Sequence, residues 1–590
     1  MKRVLVFYSF SLFLGCSCAL LFSYNIILGA VVTASFLVGS FCNIKKEYSI
    51  FILLFFLFGI CSYKIYFYNY NGITLIEARV IEKQNCYCIA AFKNRKVYLS
   101  GDIGKLNEGY SVILKGKMDN KNKIEKGIVG TFKIEKIIYI KKDFICKLYT
   151  IKTEIYSRFK AQIGEDKAAI IMSICFGDTD YISQDEMHDY QKLGVIHAIS
   201  VSGFHMAIIY KVFEQFTGFY GGLLISLIYT IFTGSQPATV RSLIMIGILK
   251  LSKKVYKNYD GVSSLSFSAI IILLFRPYYV VDLGFLLSYL ATIGIILYYK
   301  RLTRILYLLP RKINESISMT FSAQVFSTPL VMLTMGNISL GFLLGNLFLL
   351  PLYSLVVIAG NFALLSIYIK PLFIIINKFL YIILTAVEGA QYLLLKVSPS
   401  ICYLSLTTTI GLILLYPCYI LTRYRNRAWR YFPIFLFICI FIDLINIFPQ
   451  LQVVEIGKEN MILIQHFSRT YAVSENSTYD DNKKYLQNLK EHLNMGNILS
   501  CSTRNFRIKL GKDYSIERIS ESEGSKSNIL VNGARHNYIF LWKIDKNMKN
   551  SNKNYDIISL NYDSTFQRKD NFYKTKAVYK LIFGKLYKVQ

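Results

Sequence analysis

Long apolar runs recur from the first residues to about residue 449, and they constrain the fold of this chain more than any other feature. A helix needs about 20 mostly apolar residues to cross a bilayer. Three runs of that kind open the chain, at 4–22, 25–42 and 49–69. Hydrophobic residues make up 53% of the chain and charged residues 18%, which excludes a disordered chain and argues against a simple cytosolic enzyme. The sequence therefore predicts an integral membrane protein.

The start of the chain has two interpretations. Lys2 and Arg3 before an apolar run are also typical of a secretory signal peptide. The second run follows almost at once, and the cleavage-site pattern between the two is poor. We therefore expect residues 1–69 to form N-terminal transmembrane spans.

Residues 70–150 change to short β-branched runs separated by polar turns. Alternation of apolar and polar residues at 112–118 and 131–137 is typical of strands with one buried face. We predict a small β-barrel here. Its many lysines fit either a solvated surface or a face that holds nucleic-acid backbone. The sequence also allows one disulfide among the cysteines of this stretch, which are Cys86, Cys88 and Cys146.

Apolar runs return between residues 151 and 449 and predict a second transmembrane block, some of whose pieces are short enough to be re-entrant. Glycines four apart, Gly218 with Gly222 and Gly341 with Gly345, have the spacing that lets helix backbones approach closely. The expected runs lie at 194–211, 217–234, 236–251, 262–276, 280–299, 316–335, 338–368, 372–397, 403–421 and 431–449.

The placement of lysine and arginine predicts the orientation of the spans. Basic pairs at 2–3 and 45–46 flank the first two spans and belong inside, so the third span runs outward. The dense basic loop at 422–430 is also expected inside. Residues 70–150 and 450–590 are then both expected on the external side of the membrane.

The tail, residues 450–590, alternates strand-like runs with polar segments and is again basic. It predicts an α/β or mostly β domain. Its strand-like runs lie at 452–456, 461–464, 529–531, 538–541 and 555–560.

Polar residues interrupt an apolar run between His197 and His205. Such side chains in a membrane helix normally face a bundle interior or a water-filled path. In a continuous helix, His197, Ser200 and His205 would share one face. Ser202 and Gly203 would instead allow a break, as in discontinuous helices that line a cavity. The alternative for all of them is plain hydrogen bonding between helices.

Charged residues flank this segment in the sequence. Residues 163–178 are expected to form a helix that ends at a turn, and Asp178 and Asp180 at that turn either decorate a loop or belong to the site. Pro237 begins an apolar helix, and Arg241 lies one turn inside it. Arg241 is expected either to reach the interface with its long side chain or to contact a phosphate or Asp178.

The same residues allow a hydrolase. Ser200 or Ser202 beside Gly203, with His205 and Asp178, supplies the parts of a nucleophile and its base, although the spacing matches no established motif. A metal site is less favoured, because a third ligand beside the two histidines is not evident. No P-loop motif and no paired CxxC motif occurs, so the sequence predicts neither a metal nor a cofactor.

An ordered set of motifs in residues 165–360 resembles the membrane core of the ComEC family of competence proteins. The set begins with Gly177-Asp178, and the segment His197–His205 stands in the place of the family's histidine–serine–glycine–histidine core. The remaining motifs lie at 233–237 with Arg241, at Arg276-Pro277, and at 284–291, 323–324, 328–330 and 346–351.

The resemblance implies a channel for single-stranded DNA in natural transformation, with an OB-like domain after the first spans. It also implies that a set of residues in the core lies near the path of the strand. These candidates are Asp178, His197, Ser200, Ser202, Gly203, His205, Pro237 and Arg241.

The tail departs from the fuller family pattern, in which many members end in a metallo-β-lactamase-like domain. Residues 451–464 resemble the opening strands of that domain, but no HxHxDH cluster occurs in the chain. The histidines of the tail, His466, His492 and His536, are scattered. A two-metal hydrolase needs clustered ligands to activate water. We therefore expect a degenerate relative without a nuclease metal site, and a protein that is not an enzyme.

These observations predict a polytopic α-helical protein of the cytoplasmic (inner) membrane, with transmembrane cores at 1–69 and 151–449. An OB-like barrel (70–150) and a basic α/β tail (450–590) are expected outside. The expected function is inward transport of single-stranded DNA. The expected partners are that strand, membrane lipid and other competence proteins, including a separate motor because no P-loop is present; a homo-oligomer is left open. The alternatives are transport of another anionic substrate or polymer, and an intramembrane hydrolase.

Overall fold

The structure is a computed structural model that describes most of the chain up to residue 398 and mainly strands beyond it. The expected runs at 403–421 and 431–449 and the basic loop between them lie largely outside the described residues. The described residues are 3–43, 46–68, 73–84, 87–119, 123–398, 402–403, 409–411, 413–414, 432, 434, 437–438, 450–456, 459–466, 469–474, 498–500, 507–510, 514–519, 528–533, 537–541, 556–559, 573–582 and 585–588.

The chain forms two compact units. One unit contains Met1–Thr328 and Gly341–Ser398, and the other contains Pro329–Leu340 and Pro399–Gln590.

Three N-terminal helices agree with the first three expected spans. Two of them, α1 and α3, touch backbone to backbone, because a Cβ on Gly59 would lie 3.1 Å from the Cα of Gly15. The Ser11 hydroxyl donates to the Ile52 carbonyl across the same contact, at 2.5 Å. Small residues allow this approach in a bilayer. The helices are α1 (Val4–Tyr24), α2 (Ile26–Asn43) and α3 (Lys46–Tyr66).

A closed five-stranded barrel follows, which confirms the predicted fold of this stretch. The strands are hydrogen-bonded in the order β1-β2-β3-β5-β4, with β4 pairing back to β1, and the closed five-stranded form is OB-like. Its interior is filled by fully buried side chains such as Val80, Leu99 and Phe132. The sequence did not predict β2, because its apolar residues do not alternate. The strands are β1 (Leu75–Gln84), β2 (Tyr87–Phe92), β3 (Arg95–Ser100), β4 (Ser111–Asp119) and β5 (Ile128–Lys141).

A bidentate ion pair joins the barrel to the helix that follows it. Arg79 on β1 donates from Nη1 and Nη2 to the two carboxylate oxygens of Asp143, at 2.8 and 2.5 Å. Asp143 also caps the next helix by accepting the Cys146 amide, at 3.3 Å. Cys88 and Cys146 are both free, so the allowed disulfide does not form between them. Cys86 lies outside the described residues.

Helices dominate residues 144–397. By length and composition, seven helical segments of the described chain are apolar enough to cross a membrane, and they lie in α1, α3, α8, α11, α12, α13 and α14. This confirms a polytopic α-helical membrane protein. The helices are α4 (Phe144–Ile163), α5 (Glu165–Phe176), α6 (Gln184–Lys192), α7 (Ile196–Ile199), α8 (Gly203–Phe232), α9 (Pro237–Lys254), α10 (Gly261–Phe275), α11 (Leu283–Ile305), α12 (Arg311–Met335), α13 (Phe342–Leu365) and α14 (Lys370–Val397).

Helix α8 is a hairpin rather than one straight span. Gly218 has φ 68° and ψ −171°, which are not helical angles. The Thr230 hydroxyl lies 3.8 Å from the Met206 sulfur, whereas a continuous helix would separate these residues by about 36 Å. Each arm is only about 22 Å long, shorter than the roughly 30 Å hydrocarbon core. The arms therefore fit the re-entrant pieces that the sequence allowed.

The glycine pairs noted in the sequence serve two different contacts. Gly218 forms the left-handed turn of the α8 hairpin, and a Cβ on Gly222 would lie 3.2 Å from the Cα of Glu214 on the other arm. A Cβ on Gly341 or Gly345 would press on the backbone at Leu193. Only the second pair supports packing between separate elements.

The packing centre of the first unit is α5, whose last nine residues are all buried. Its C-terminal turn lies against α13 and α8. The Tyr229 hydroxyl donates to the Cys175 carbonyl at 2.5 Å, and Gly360 leaves room for the Cys175 sulfur. As predicted, α5 ends at a turn, where Gly177 adopts φ 71°. This fixes the position of Asp178.

The described part of the tail is made of strands in two sheets, and it includes the strand-like runs expected from the sequence. In the same unit, the two-residue strands β6 (Asn337–Ile338) and β7 (Cys402–Tyr403) pair with each other. One sheet has the order β11-β10-β9-β8-β17-β18 and the other β12-β13-β14-β15-β16. The strands are β8 (Gln450–Ile456), β9 (Glu459–His466), β10 (Arg469–Ser474), β11 (Ile498–Ser500), β12 (Arg507–Leu510), β13 (Tyr514–Ile519), β14 (Asn528–Gly533), β15 (Asn537–Leu541), β16 (Asp556–Ser559), β17 (Tyr573–Ile582) and β18 (Lys585–Lys588).

Candidate functional site

A break in the helix stands at the polar segment singled out in the sequence. Helix α7 ends at Ile199, and Ser200 is extended, with φ −89° and ψ 152°. Ser202 is extended as well and caps α8, which begins at Gly203. Of the two arrangements that the sequence allowed, the structure has the discontinuous helix. Irregular backbone at membrane depth is tolerated where it is buried in protein or lines a cavity.

His205 holds this break from the first turn of α8. Its Nδ1 accepts the backbone amide of Ser202 at 2.8 Å and lies 3.2 Å from the Ser202 hydroxyl. Because Nδ1 accepts the amide proton, the ring proton of the neutral imidazole is on Nε2. His205 is 1% exposed, and its Nε2 has no hydrogen-bond partner within the described chain. The Nε2–H group of His205 is therefore an unpartnered hydrogen-bond donor in the first turn of α8.

Arg241 is buried on α9, where it is only 9% exposed. Its guanidinium donates from Nε to Ser288 Oγ at 3.0 Å, from Nη1 to Thr292 Oγ1 at 2.5 Å and from Nη2 to Ser242 Oγ at 3.2 Å. The guanidinium also lies 6.0 Å from the centre of the Tyr289 ring. All of these partners are neutral.

Of the contacts that the sequence allowed for Arg241, the pairing with Asp178 is not formed among the described residues. Arg241 takes part in none of the ion pairs formed by the residues that the structure describes. Its side chain donates to the hydroxyls of α11, and the cation that lowers the pKa of Asp178 is Lys152. Arg241 does not reach the interface either, because it is buried.

Three segments meet around the helix break. A Cβ on Gly203 would lie 2.8 Å from Arg241 Nη2 and would overlap the Ser242 hydroxyl. A Cβ on Gly177 would lie 3.1 Å from Val201 and 3.4 Å from the Gln236 side chain. The turn that carries Asp178, the break and the start of α9 at Pro237 are therefore neighbours. Pro237 occupies the first turn of α9, where its missing N–H costs no hydrogen bond.

The remaining two candidates lie at the edge of this group. His197 is an exposed residue of α7, and Ser200 is partly buried at the start of the break. The break removes the shared face that a continuous helix would have given to His197, Ser200 and His205. The structure therefore joins Ser202 to His205 by hydrogen bonds and places Arg241 against Gly203.

A group of charged residues lies next to this site. Burial raises the pKa of Asp178, although the Lys152 ammonium partly offsets this effect. Burial also raises the pKa of Glu108, a residue of the barrel, and the carboxylates of Asp178 and Asp180 add to the rise. Burial lowers the pKa of Lys152 on α4. The barrel, α4 and the turn after α5 thus share one group of coupled charges.

A second basic feature lies on the outer surface of the barrel. Lys115 is paired in register with Lys136, and Lys117 with Lys133, across the antiparallel strands β4 and β5. All four are exposed, and none has an acidic partner among the described residues. We call these four residues the lysine ladder. Like charges directly opposite each other destabilise a strand pair, so the ladder favours an anion over its surface.

Some residues of the core site were missed from the sequence. Ser242, Ser288 and Thr292 hold the Arg241 guanidinium. The available signal was the four-residue spacing of Ser288 and Thr292 in an apolar helix, which places both hydroxyls on one helix face. Nothing in the sequence linked that face to Arg241.

No group of three or more histidine, cysteine, aspartate or glutamate side chains that could hold a metal ion occurs in the described ranges. Of the tail histidines, His466 ends β9, whereas His492 and His536 lie outside the described residues. The sequence-based expectation that the tail lacks a nuclease metal site stays a prediction.

The fold and this site define a class: a polytopic helical membrane protein with an OB-like barrel and a polar, discontinuous helix in its core. A family model described as Competence protein matches residues 174–427, which include the helix break and Arg241. Residues 174–427 therefore match the competence-protein family, which supports the resemblance to the ComEC family found in the sequence.

Two relatives support this assignment. The chain is 24% identical over 230 residues to ComE operon protein 3 of Bacillus subtilis (strain 168), a match that covers 38% of this chain and 29% of that protein. It is 26% identical over 157 residues to an uncharacterized protein of Aquifex aeolicus (strain VF5), covering 25% of this chain and 38% of that protein. The matches thus span well under half of either relative. No solved structure matches the chain.

Proposed function

We propose that this protein passes single-stranded DNA across the cytoplasmic membrane into the cell during natural transformation. The observation that carries the proposal is the lysine ladder, an exposed, uncompensated set of like charges on an OB-like barrel. Lysines that neutralise phosphates bind nucleic acid through counterion release, without sequence preference. Tyr139, 56% exposed on the same strand as Lys136, offers a ring on which a base can stack. The family assignment of residues 174–427 supports the same function.

The proposed orientation has the barrel outside. Arg3, before α1, pairs with Asp260 in the loop between α9 and α10, at 2.9 Å. Lys253 and Lys254 end α9 next to that loop. Basic residues therefore collect at the end of the helices that carries the N-terminus, which supports a cytoplasmic location for that end. The barrel packs at the other end, where a Cβ on Gly127 would lie 2.6 Å from the Tyr278 ring.

The proposed path leads from the barrel to the helix break. Asp178, His197, Ser200, Ser202, Gly203, His205, Pro237 and Arg241 would lie along or beside it. A separate motor protein would supply the energy, because the sequence contains no P-loop. In this proposal the tail is a degenerate metallo-β-lactamase-like domain without nuclease activity, and the domains divide at about residues 69, 150 and 449.

The proposal is tested by uptake of labelled DNA in a strain that lacks this gene. The full-length chain should restore uptake, and a chain truncated at about residue 450 shows whether the tail is needed. Membrane insertion of both chains is checked in parallel. A well-inserted full-length chain that restores no uptake would refute the proposal and favour transport of another anionic substrate.

One contact favours a second candidate, a serine hydrolase. The Ser202 hydroxyl lies 3.2 Å from His205 Nδ1, within reach of a nucleophile and its base. Against it, the same Nδ1 already accepts the Ser202 amide, and Nε2 has no carboxylate to orient the ring within the described chain. Replacing Ser200 and Ser202 with Ala separates the two, because a nucleophile does not survive that change whereas a conducting path does.

A further inference from the structure

The buried charge of Arg241 has no counter-charge among the described residues. Transfer of an ionised side chain out of water costs several kcal/mol unless an opposite charge compensates it. The Ser242, Ser288 and Thr292 hydroxyls satisfy donors of the guanidinium but leave its full positive charge in place. This arrangement orients the guanidinium and leaves it to be neutralised by something else.

A second source of positive potential lies beside the guanidinium. The first N–H groups of a helix have no intrahelical acceptor, and they make a helix N-terminus a favourable place for an anion and an unfavourable one for a cation. A Cβ on Gly203, the first residue of α8, would lie only 2.8 Å from Arg241 Nη2. The guanidinium and the start of α8 therefore repel each other unless an anion lies against both.

His205 provides an independent observation on the same helical turn. It is 1% exposed, its Nδ1 is occupied by the Ser202 amide, and its Nε2 has no partner in the part of the chain that the structure describes. A buried donor without an acceptor is destabilising, because it has lost its hydrogen bonds to water and gained none in return. An oxyanion near the start of α8 would supply acceptors for donors that are otherwise unused.

We infer that Arg241, the first turn of α8 and His205 form a buried site for a phosphate oxyanion. Resting on the proposed function, we assign this oxyanion to a phosphodiester of the transported strand. Arg241 binds the charge, Gly203 lets the guanidinium approach the start of α8 because it has no Cβ, and Ser288 and Thr292 are positioning residues that aim the guanidinium. A lipid phosphate shares this chemistry, so the test separates the two sources.

The test uses the full-length protein in a detergent without phosphate, with inorganic phosphate as the first probe and thermal unfolding as the readout. Phosphate should raise the unfolding midpoint of the wild type. Arg241→Gln should weaken phosphate binding by about tenfold or more, the loss of one charge-assisted contact. Arg158→Gln is the matched control, because Arg158 has its own partner in Glu154 at 2.6 Å. No phosphate effect in the wild type, or an equal one in Arg241→Gln, overturns the site.

Two further arms identify the source of the phosphate and cover a variant that does not fold. A short single-stranded deoxyoligonucleotide should stabilise the wild type more than Arg241→Gln, and its uncharged methylphosphonate analogue should not make this distinction. Stabilisation through Arg241 by a short-chain phospholipid but not by the oligonucleotide overturns the assignment to the strand.

If Arg241→Gln does not insert, Arg241→Lys replaces it. Arg241→Lys should bind phosphate more weakly than the wild type, since Lys lacks the planar fork; equal binding overturns the site. None of these readouts needs DNA uptake, so a failed uptake assay and a failed phosphate assay are distinct results.

Discussion

The barrel and the membrane core both present positive charge, but they do so under opposite physical conditions. The lysine ladder places four flexible, exposed ammonium groups over a rigid strand pair, in contact with water and salt. The core places one buried guanidinium among hydroxyls, with its geometry fixed by Ser288 and Thr292. In the function that we propose, the barrel would collect the strand and the core would position one phosphate.

The difference in solvent exposure determines how each region should respond to change. Charges in water are screened within about 10 Å at 0.1 M salt, whereas buried charges are screened much less. Loss of one exposed lysine therefore costs little, because its neighbours remain. Loss of a single buried group has no such substitute, so the largest effects are expected in the core.

The largest expected effect is that of His205→Ala, which should abolish uptake of labelled DNA while the protein still inserts. His205 fixes the Ser202 amide at the helix break, and its loss frees that backbone. His188→Ala, on α6 and outside the break, is the control. Normal uptake by a well-inserted His205→Ala protein would show that the helix break in the core is not needed for DNA uptake.

A smaller effect is expected from the ladder. The double variant Lys117→Gln/Lys133→Gln removes one directly opposed pair. The slope of log affinity for single-stranded DNA against log salt should fall by about 1.4, at about 0.7 for each phosphate contact. The matched control is Lys105→Gln/Lys147→Gln, which removes two exposed lysines elsewhere. Equal slopes for the two double variants would mean that the ladder is only a solvated surface.

A third prediction concerns pH and the charges between the two regions. The pKa values of Glu108 and Asp178 are raised by burial, so the folded state holds their protons more tightly than the unfolded chain does. Their stabilising contribution is complete below the ordinary values of 4.5 and 3.8 and is lost as pH rises through the raised pKa values. The unfolding midpoint of the full chain should therefore fall over that range.

Variants of these carboxylates check the assignment. Glu108→Gln and Asp178→Asn should each flatten the fall in the unfolding midpoint, because neither amide ionises. Asp102→Asn, at an exposed position of the same barrel, should leave the fall unchanged. An unchanged pH profile in both of the first two variants would show that the barrel and the core are not coupled through these groups.

The smallest expected effect is that of Asp143→Ala at the junction of barrel and helix. This change removes both the ion pair with Arg79 and the cap of α4, and should lower the free energy of unfolding by about 1–2 kcal/mol. Thermal unfolding of the full chain measures it, with Asp102→Ala as the control. DNA uptake should persist, since neither region loses a charge that we assign to the strand. A loss of uptake without a loss of stability would contradict this.

Local pattern was enough to predict much of the architecture. Apolar runs of bilayer length identified α1, α2 and α3, and alternation in residues 112–118 and 131–137 identified β4 and β5 of the barrel. These signals are reliable because each depends on neighbours in sequence: a run of apolar residues for a span, and a period of two for a strand. The fold back at Gly218 agrees with the division between the expected runs at 194–211 and 217–234, where Lys211, Glu214 and Gln215 interrupt the apolar pattern.

The sequence by itself determined that this is a basic, polytopic membrane protein with a small barrel, and it singled out the polar residues of the core. Only the tertiary structure decided what those residues touch. It broke the helix at 200–202, turned Arg241 away from Asp178 toward the hydroxyls of Ser288 and Thr292, and aligned the lysines of two strands in register. The physical reason is that these contacts join residues far apart in the chain, and their distance and burial are set by helix packing and strand register rather than by any local periodicity.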